Sequence, residues 1–265
     1  MKLHCIPILS ALFTSLVCFS NPATKISDNS PSSGIVIRWN DCEQTIDGFG
    51  IAQAGWAKEL FAFKNRKQVM DKMFGNDGLR LNILRGEIFP HYWENKEDKD
   101  FNLNDDINIE LCDSDFNNKS DDLLRRGQLW LTLEAKNKYH INKLVFSTWS
   151  APAWMKSNGK VSNGILKPEC YQDFANYLAA FYKAYKSKGI TPYAISPSNE
   201  PGYAAPWNSS LWTADEMGKF ITSNLGPTFQ KENIPAKIIF GENPLWSVVM
   251  PQLKMVSSKD FTDTI

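Results

Sequence analysis

Between residues 49 and 240 the chain alternates short apolar runs with amphipathic stretches at helical spacing. The apolar runs are Phe49–Gln53, Leu79–Ile88, Lys143–Ser150, Tyr193–Glu200 and Ala236–Phe240. Between them the spacing predicts helices over Lys58–Phe74, closed by Gly75 at its C′ position, over about Asp121–Lys138, and over Pro168–Lys188, stopped by Gly189. A fourth opens at the Thr213-x-x-Glu216 capping box and a last short one covers Val248–Val256. A long polar loop runs from Phe89 to roughly Asp115. Successive strands separated by helices cannot pair as hairpins, so the pattern demands a parallel sheet with helices packed outside it.

Two architectures satisfy that demand, a doubly wound open sheet and a (β/α)8 barrel. The first strand is not followed by a Gly-x-Gly-x-x-Gly turn, which counts against a dinucleotide-binding open sheet. The C-terminal ends of the strands read Gln53, Arg85-Gly-Glu87, Trp149-Ser150, Asn199-Glu200 and Glu242-Asn243. Polar and ionisable residues gathered at those ends are the mark of a barrel, whose chemistry sits at that face. The fold class expected is therefore α/β, a TIM-type barrel with about five of its eight units in this chain.

The Tyr193–Pro201 stretch carries the chemistry. An apolar strand runs outward and stops at Asn199-Glu200-Pro201, and an aromatic loop from Tyr203 to Trp212 follows. Acid-assisted cleavage of a sugar linkage needs a carboxyl group in a place dry enough to keep its proton near neutrality. A strand end walled by indoles is such a place, and nine Trp in one chain is a large supply.

Charge excludes other partners. The 29 basic and 29 acidic residues cancel, which offers nothing to nucleic acid or to an anionic membrane. Residues 1–20 join a basic start to an apolar run and small polar residues, the pattern of a cleavable signal peptide, so secretion is expected. That run is short for a membrane span. A Pro/Ser-rich flexible leader follows over 21–33, then a strand over 34–46. Cys42, Cys112 and Cys170 remain after signal removal, without a paired spacing for zinc; one disulfide plus a free thiol, or none, are both open. Asn118 and Asn208 head glycan acceptor sequons.

Several pieces in order resemble glycoside hydrolase family 30, of the clan of retaining (β/α)8 glycosidases. They are Asp47-Gly-Phe-Gly50, Ile83-Leu-Arg85, Ser150-Ala-Pro-Ala-Trp154-Met-Lys-Ser-Asn-Gly159, Leu166-Lys-Pro168 and Ser198-Asn-Glu-Pro201, spread over roughly residues 35 to 255. The resemblance implies that Glu200 is the general acid/base, protonating the leaving glycosidic oxygen and then deprotonating the water that opens a covalent intermediate. Asn199 would bond the sugar 2-hydroxyl. Arg85 would orient the nucleophilic carboxylate, the alternative being a partnership with Glu87 or another structural acid. Trp154 would wall the subsite of the cleaved sugar, with Trp149, Tyr203, Trp207, Trp212 and Trp246 extending the platform and about half of these serving as packing instead.

Glu242 is assigned to substrate binding and not to nucleophilic attack. It ends the fifth strand, whereas the resemblance places the nucleophile on the seventh. At about 30 residues per unit that carboxylate falls near residue ~300, beyond residue 265, as would the β-sandwich to which residues 34–46 belong. Residues 47–265 are then the N-terminal part of the catalytic barrel, inactive by itself. No cofactor and no metal is implied; a His-Glu-x-x-His pair and a Gly-x-Ser-x-Gly elbow are both absent from the sequence. The substrate expected is a β-linked polysaccharide such as xylan, with β-1,6-glucan, β-1,6-galactan and a glucosylceramide as alternatives. A catalytically silent carbohydrate-binding protein is the competing class.

Overall fold

The computed structural model describes residues 40–41, 44–53, 56–93, 96–97 and 123–245. The expected signal peptide, the leader and the short helix over 248–256 lie outside the described residues, as does most of the 34–46 segment, of which 40, 41 and 44–46 are in no strand. The chain divides into two units, Met1–Gly48 and Phe49–Ile265, and every described strand and helix belongs to the second.

Five strands form one sheet: β1 (Gly50–Ala52), β2 (Ile83–Ile88), β3 (Lys143–Thr148), β4 (Ala194–Ser196) and β5 (Lys237–Ile238). Their order in space is their order in sequence, and every neighbouring pair is parallel. A doubly wound sheet reverses direction at a switch point; this one does not, and the arrangement is that of a (β/α) barrel with five units described. The helices between them are α1 (Ala57–Ala62), α2 (Arg66–Phe74), α3 (Leu123–Tyr139), α4 (Tyr171–Ser187), α5 (Ala214–Phe220) and α6 (Gly226–Lys231). Among the described residues no helix is long and apolar enough to cross a membrane.

The sheet is covered on its helical side by a layer of aromatic residues. Phe146 of β3 meets Phe181 at 5.1 Å and Tyr185 at 4.9 Å between ring centroids, and both belong to the face of α4 that also buries Phe174, Leu178 and Tyr182. Each such side chain contributes roughly 1.5–3 kcal/mol by leaving water. Helix α4 ends where Gly189 turns left-handed (φ +81°), letting the amide of Ile190 return to the Tyr185 carbonyl at 2.9 Å.

Three expected elements differ. The helix expected over 58–74 is two, because Phe63 is extended and Arg66 folds back to donate to the Phe61 carbonyl at 2.6 Å while stacking on Phe61 and Trp130. Gly75 ends α2 in an extended conformation (φ −72°) and not in the left-handed C′ geometry; a Cβ there would lie 2.5 Å from the Asp71 carbonyl oxygen, so crowding selects the glycine. The strands are shorter than their apolar runs. Residues Leu79 and Leu81 bond back to the end of α2, and Pro197, lacking an N–H, stops β4 after Ser196.

Candidate active site

The C-terminal ends of β2 to β5 bring together residues far apart in sequence. From β2, the Arg85 guanidinium donates through Nε to Glu242 Oε1 at 3.1 Å and through Nη2 to Asn199 Oδ1 at 2.7 Å. Its flat face lies 4.6 Å from the Trp149 ring centroid. Ser147, on β3, donates to the other carboxylate oxygen of Glu242 at 2.6 Å. A planar guanidinium supplies several fixed donors at once, so one arginine sets the positions of a carboxylate, an amide and an indole. Among the described residues the acid that Arg85 bonds is Glu242. The Glu242 carboxylate, expected to bind substrate, is engaged by Arg85 and Ser147.

Glu200 follows β4 with its backbone in the left-handed region, φ +45°. A non-glycine residue persists there only when its surroundings impose it. The Glu200 amide donates to the Glu242 carbonyl at 2.9 Å, and the Glu200 carbonyl accepts from Tyr203 at 3.0 Å. The neighbouring Asn199 amide donates to the Thr148 carbonyl at 2.6 Å. Glu242 therefore holds Glu200 by its main chain and Arg85 by its side chain. Both Asn199 and Glu200 are partly open to solvent.

Above this cluster stand two loops. The loop after β3 carries Trp154, whose ring packs edge-on against Trp93 at 4.8 Å and whose Nε1 donates to the Trp93 carbonyl at 3.1 Å. The loop after β4 exposes Tyr203 and Trp207, 6.4 Å apart, to solvent. Lys156 fastens the two. It is buried, and its ammonium donates to Ser150 Oγ at 3.0 Å, to the Val161 carbonyl at 3.3 Å and to the Ser209 carbonyl. Burial pulls its pKa down from 10.5 to about 8. The loops also share main-chain bonds, Ser209 N to Val161 O at 3.0 Å and Leu211 N to Gly164 O at 2.9 Å. Trp212, expected as platform, is packing: it is buried against Tyr171, Phe174 and Phe220. Trp246 lies outside the described residues.

One further carboxyl belongs to this face. Glu87 is buried near the end of β2, and burial pushes its pKa up from 4.5 to about 8, against the opposing pulls of an Asn208 hydrogen bond and the Arg85 charge. Its burial thus favours the protonated form.

The residues from 46 to 242, which carry all of these groups, match the glycosyl hydrolase family 30 TIM-barrel domain. The chain belongs to that family. The chain is 30% identical over 200 residues to a putative glucosylceramidase 3 of Caenorhabditis elegans, covering 72% of this chain and 37% of that protein. It is 28% identical over 237 residues to an endo-1,6-beta-D-glucanase of Neurospora crassa, covering 83% and 45%. The chain thus spans less than half the length of these relatives. Among solved structures, the catalytic domain of a family 30 xylanase C from Talaromyces cellulolyticus superposes with a TM-score of 0.64 at 25% identity, over 82% of this chain and 52% of that one. An endo-β-1,6-glucanase superposes with a TM-score of 0.68 at 22% identity, over 84% and 51%, which shows the same fold.

In this family 30 barrel, then, the sequence motifs located Arg85, Trp149, Trp154, Asn199, Glu200 and Glu242, and the structure joins Arg85, Trp149, Asn199, Glu200 and Glu242 in one cluster. Sequence reasoning missed Ser147, Trp93, Lys156 and the burial of Glu87. Strand alternation was the available signal for Ser147, since it shares a face of β3 with Trp149. Of the three cysteines, Cys170 is a buried free thiol, and Cys42 and Cys112 lie outside the described residues.

Proposed function

We propose that the protein is a secreted retaining glycoside hydrolase that cleaves a neutral β-linked polysaccharide such as xylan, with Glu200 as general acid/base. The observation that carries this is the hold on Glu200: a left-handed residue at the end of β4, tied by its amide to Glu242, beside an asparagine tied to Arg85. An acid fixed through its main chain keeps one direction of approach to the glycosidic oxygen, and Asn199 is set to meet the 2-hydroxyl of the same sugar. The nucleophile is a second carboxylate on a later barrel strand; retaining chemistry places it ~5–5.5 Å from the acid. The apolar run of residues 6–19 supports secretion. The similarity to an endo-1,6-beta-D-glucanase over 237 residues favours a second reading, cleavage of β-1,6-glucan by the same residues.

The test is Glu200→Gln in the full-length protein. Hydrolysis of natural polysaccharide should fall about 10²–10⁴-fold, while substrates with good leaving groups still form the glycosyl-enzyme, which accumulates and is released by azide. An unchanged rate on polysaccharide removes Glu200 from the role.

A further inference from the structure

Glu87 is not explained by the acid/base chemistry, and its setting is built with care. Arg85 points into the mouth, where it meets Glu242 and Asn199. Gly86 faces the other way: a Cβ there would lie within 2.7–2.9 Å of the side chains of Phe146 on β3, Gln128 on α3 and Gln53 after β1. By alternation Glu87 returns to the face of Arg85, about 6.6 Å nearer the open end of the strand. Its main chain is fixed on the edge that β1 is too short to reach. There Gln128 acts as a strand residue would, accepting from the Glu87 amide at 2.7 Å and donating to the Glu87 carbonyl at 2.8 Å. Gln128 is buried and is held in turn by Tyr185 at 2.9 Å.

The side chain meets the loop after β4. Asn208 bonds the Glu87 carboxyl, and Asn208 sits between exposed Trp207 and buried Ser209. Ser209 fixes that stretch, donating to the Ala205 carbonyl at 3.0 Å and to the Trp207 carbonyl at 3.1 Å and accepting from Asn163 at 2.9 Å. An acid on the Arg85 face of β2 is thus bonded to an amide that follows exposed Trp207 in the chain. The pair supplies an O–H donor, an amide donor and carbonyl acceptors with no net charge, the complement of hydroxyls on an uncharged sugar.

We propose that Glu87 and Asn208 form a specificity-determining pair that reads ring hydroxyls of a neutral sugar lying against Trp207. This rests on the glycosidase reading above and adds to it the choice of sugar. Held uncharged, Glu87 donates to one hydroxyl while Asn208 orients it. A sugar lacking that hydroxyl leaves the O–H of the acid without an acceptor, while Asn208 stays bonded to the carboxyl, and it is rejected for that reason.

The test uses the full-length protein and a panel of neutral xylo- and β-1,6-gluco-oligosaccharides with their monodeoxy analogues. Binding is read by tryptophan fluorescence and turnover as kcat and KM. Wild type should lose about tenfold in kcat/KM on one deoxy analogue, mainly through KM. Glu87→Leu should lose as much on the parent sugar and then no longer distinguish the analogue, and Glu87→Gln, which restores a donor and an acceptor, should recover most of the discrimination. Asn208→Ala provides the same comparison should Glu87→Leu not fold, and should weaken the discrimination severalfold. Active wild type whose discrimination survives both Glu87→Leu and Asn208→Ala overturns the pair and makes Glu87 a brace between β2 and the loop. Wild type that neither binds nor cleaves any of the panel overturns the glycosidase reading together with this one.

Discussion

Two cations at the mouth of this barrel are treated in opposite ways. Arg85 meets a carboxylate, an amide oxygen and an indole face, and stays partly open to solvent. Lys156 is buried and meets a hydroxyl and two carbonyls. The arginine carries a rigid planar fork of donors, so it suits a place where several groups must be held in fixed positions. The ammonium is compact and rotatable, which suits tying together loop oxygens that point from different directions. One region gathers ionisable and polar groups at the strand ends, the other ties the neighbouring loops together, and charge is neutralised only in the first.

The largest effect should come from the first region. Arg85→Met leaves Glu242 with Ser147 and releases Asn199, and kcat/KM should fall about 100-fold, the cost of misplacing reacting groups by an ångström. Melting should change little by comparison, because the pair is partly solvated. Lys156→Met should show the reverse. Ser150, Val161 and Ser209 lose their donor, for a net loss of about 2 kcal/mol once relief of the buried charge is counted, or about 6 °C in Tm. A rise in Tm on calorimetry would mean that the desolvated charge outweighs its bonds.

Titration separates the regions further. Lys156 has a folded pKa of about 8 against 10.5 when unfolded, so between those values the unfolded chain binds more protons and stability rises with pH. Glu87 goes from 4.5 unfolded to about 8 folded, the folded chain binds more protons in that window, and stability falls as pH rises through it. Each slope is at most about 1.4 kcal/mol per pH unit. Denaturant melts of Lys156→Met and Glu87→Gln against wild type should flatten the upper and the lower window respectively; a change in the wrong window refutes the assignment. The smallest effect is Ser147→Ala, about fivefold in kcat/KM, since Glu242 keeps Arg85. A loss as large as that of Arg85→Met would show the three acting as one unit.

The elements are legible in the sequence because they are local. The 3.6-residue period of α4, the capping box at Thr213 and Glu216, and the apolar runs of the strands are properties of neighbouring residues, and they appear where expected. The break within 58–74 is not legible, because Arg66 stacks on Trp130 of another helix and closes α1 early, a contact with no local signature. Trp212 and Trp154 look alike in sequence. One is buried among Tyr171, Phe174 and Phe220, and the other stands at the site against Trp93.

By itself the sequence determined the parallel α/β class, the barrel over the open sheet, and Glu200 as the candidate acid, because periodicity, strand-end polarity and motif order are all written along the chain. Tertiary structure alone decided the rest. It chose Glu242, 157 residues from Arg85, as that arginine's partner. It bent Glu200 into the left-handed region, buried Lys156 among oxygens, and moved Glu87 out of water, which favours its protonated form. Pairing, strain and protonation depend on distance in space and on what water is excluded, and neither quantity is defined until the strands lie side by side.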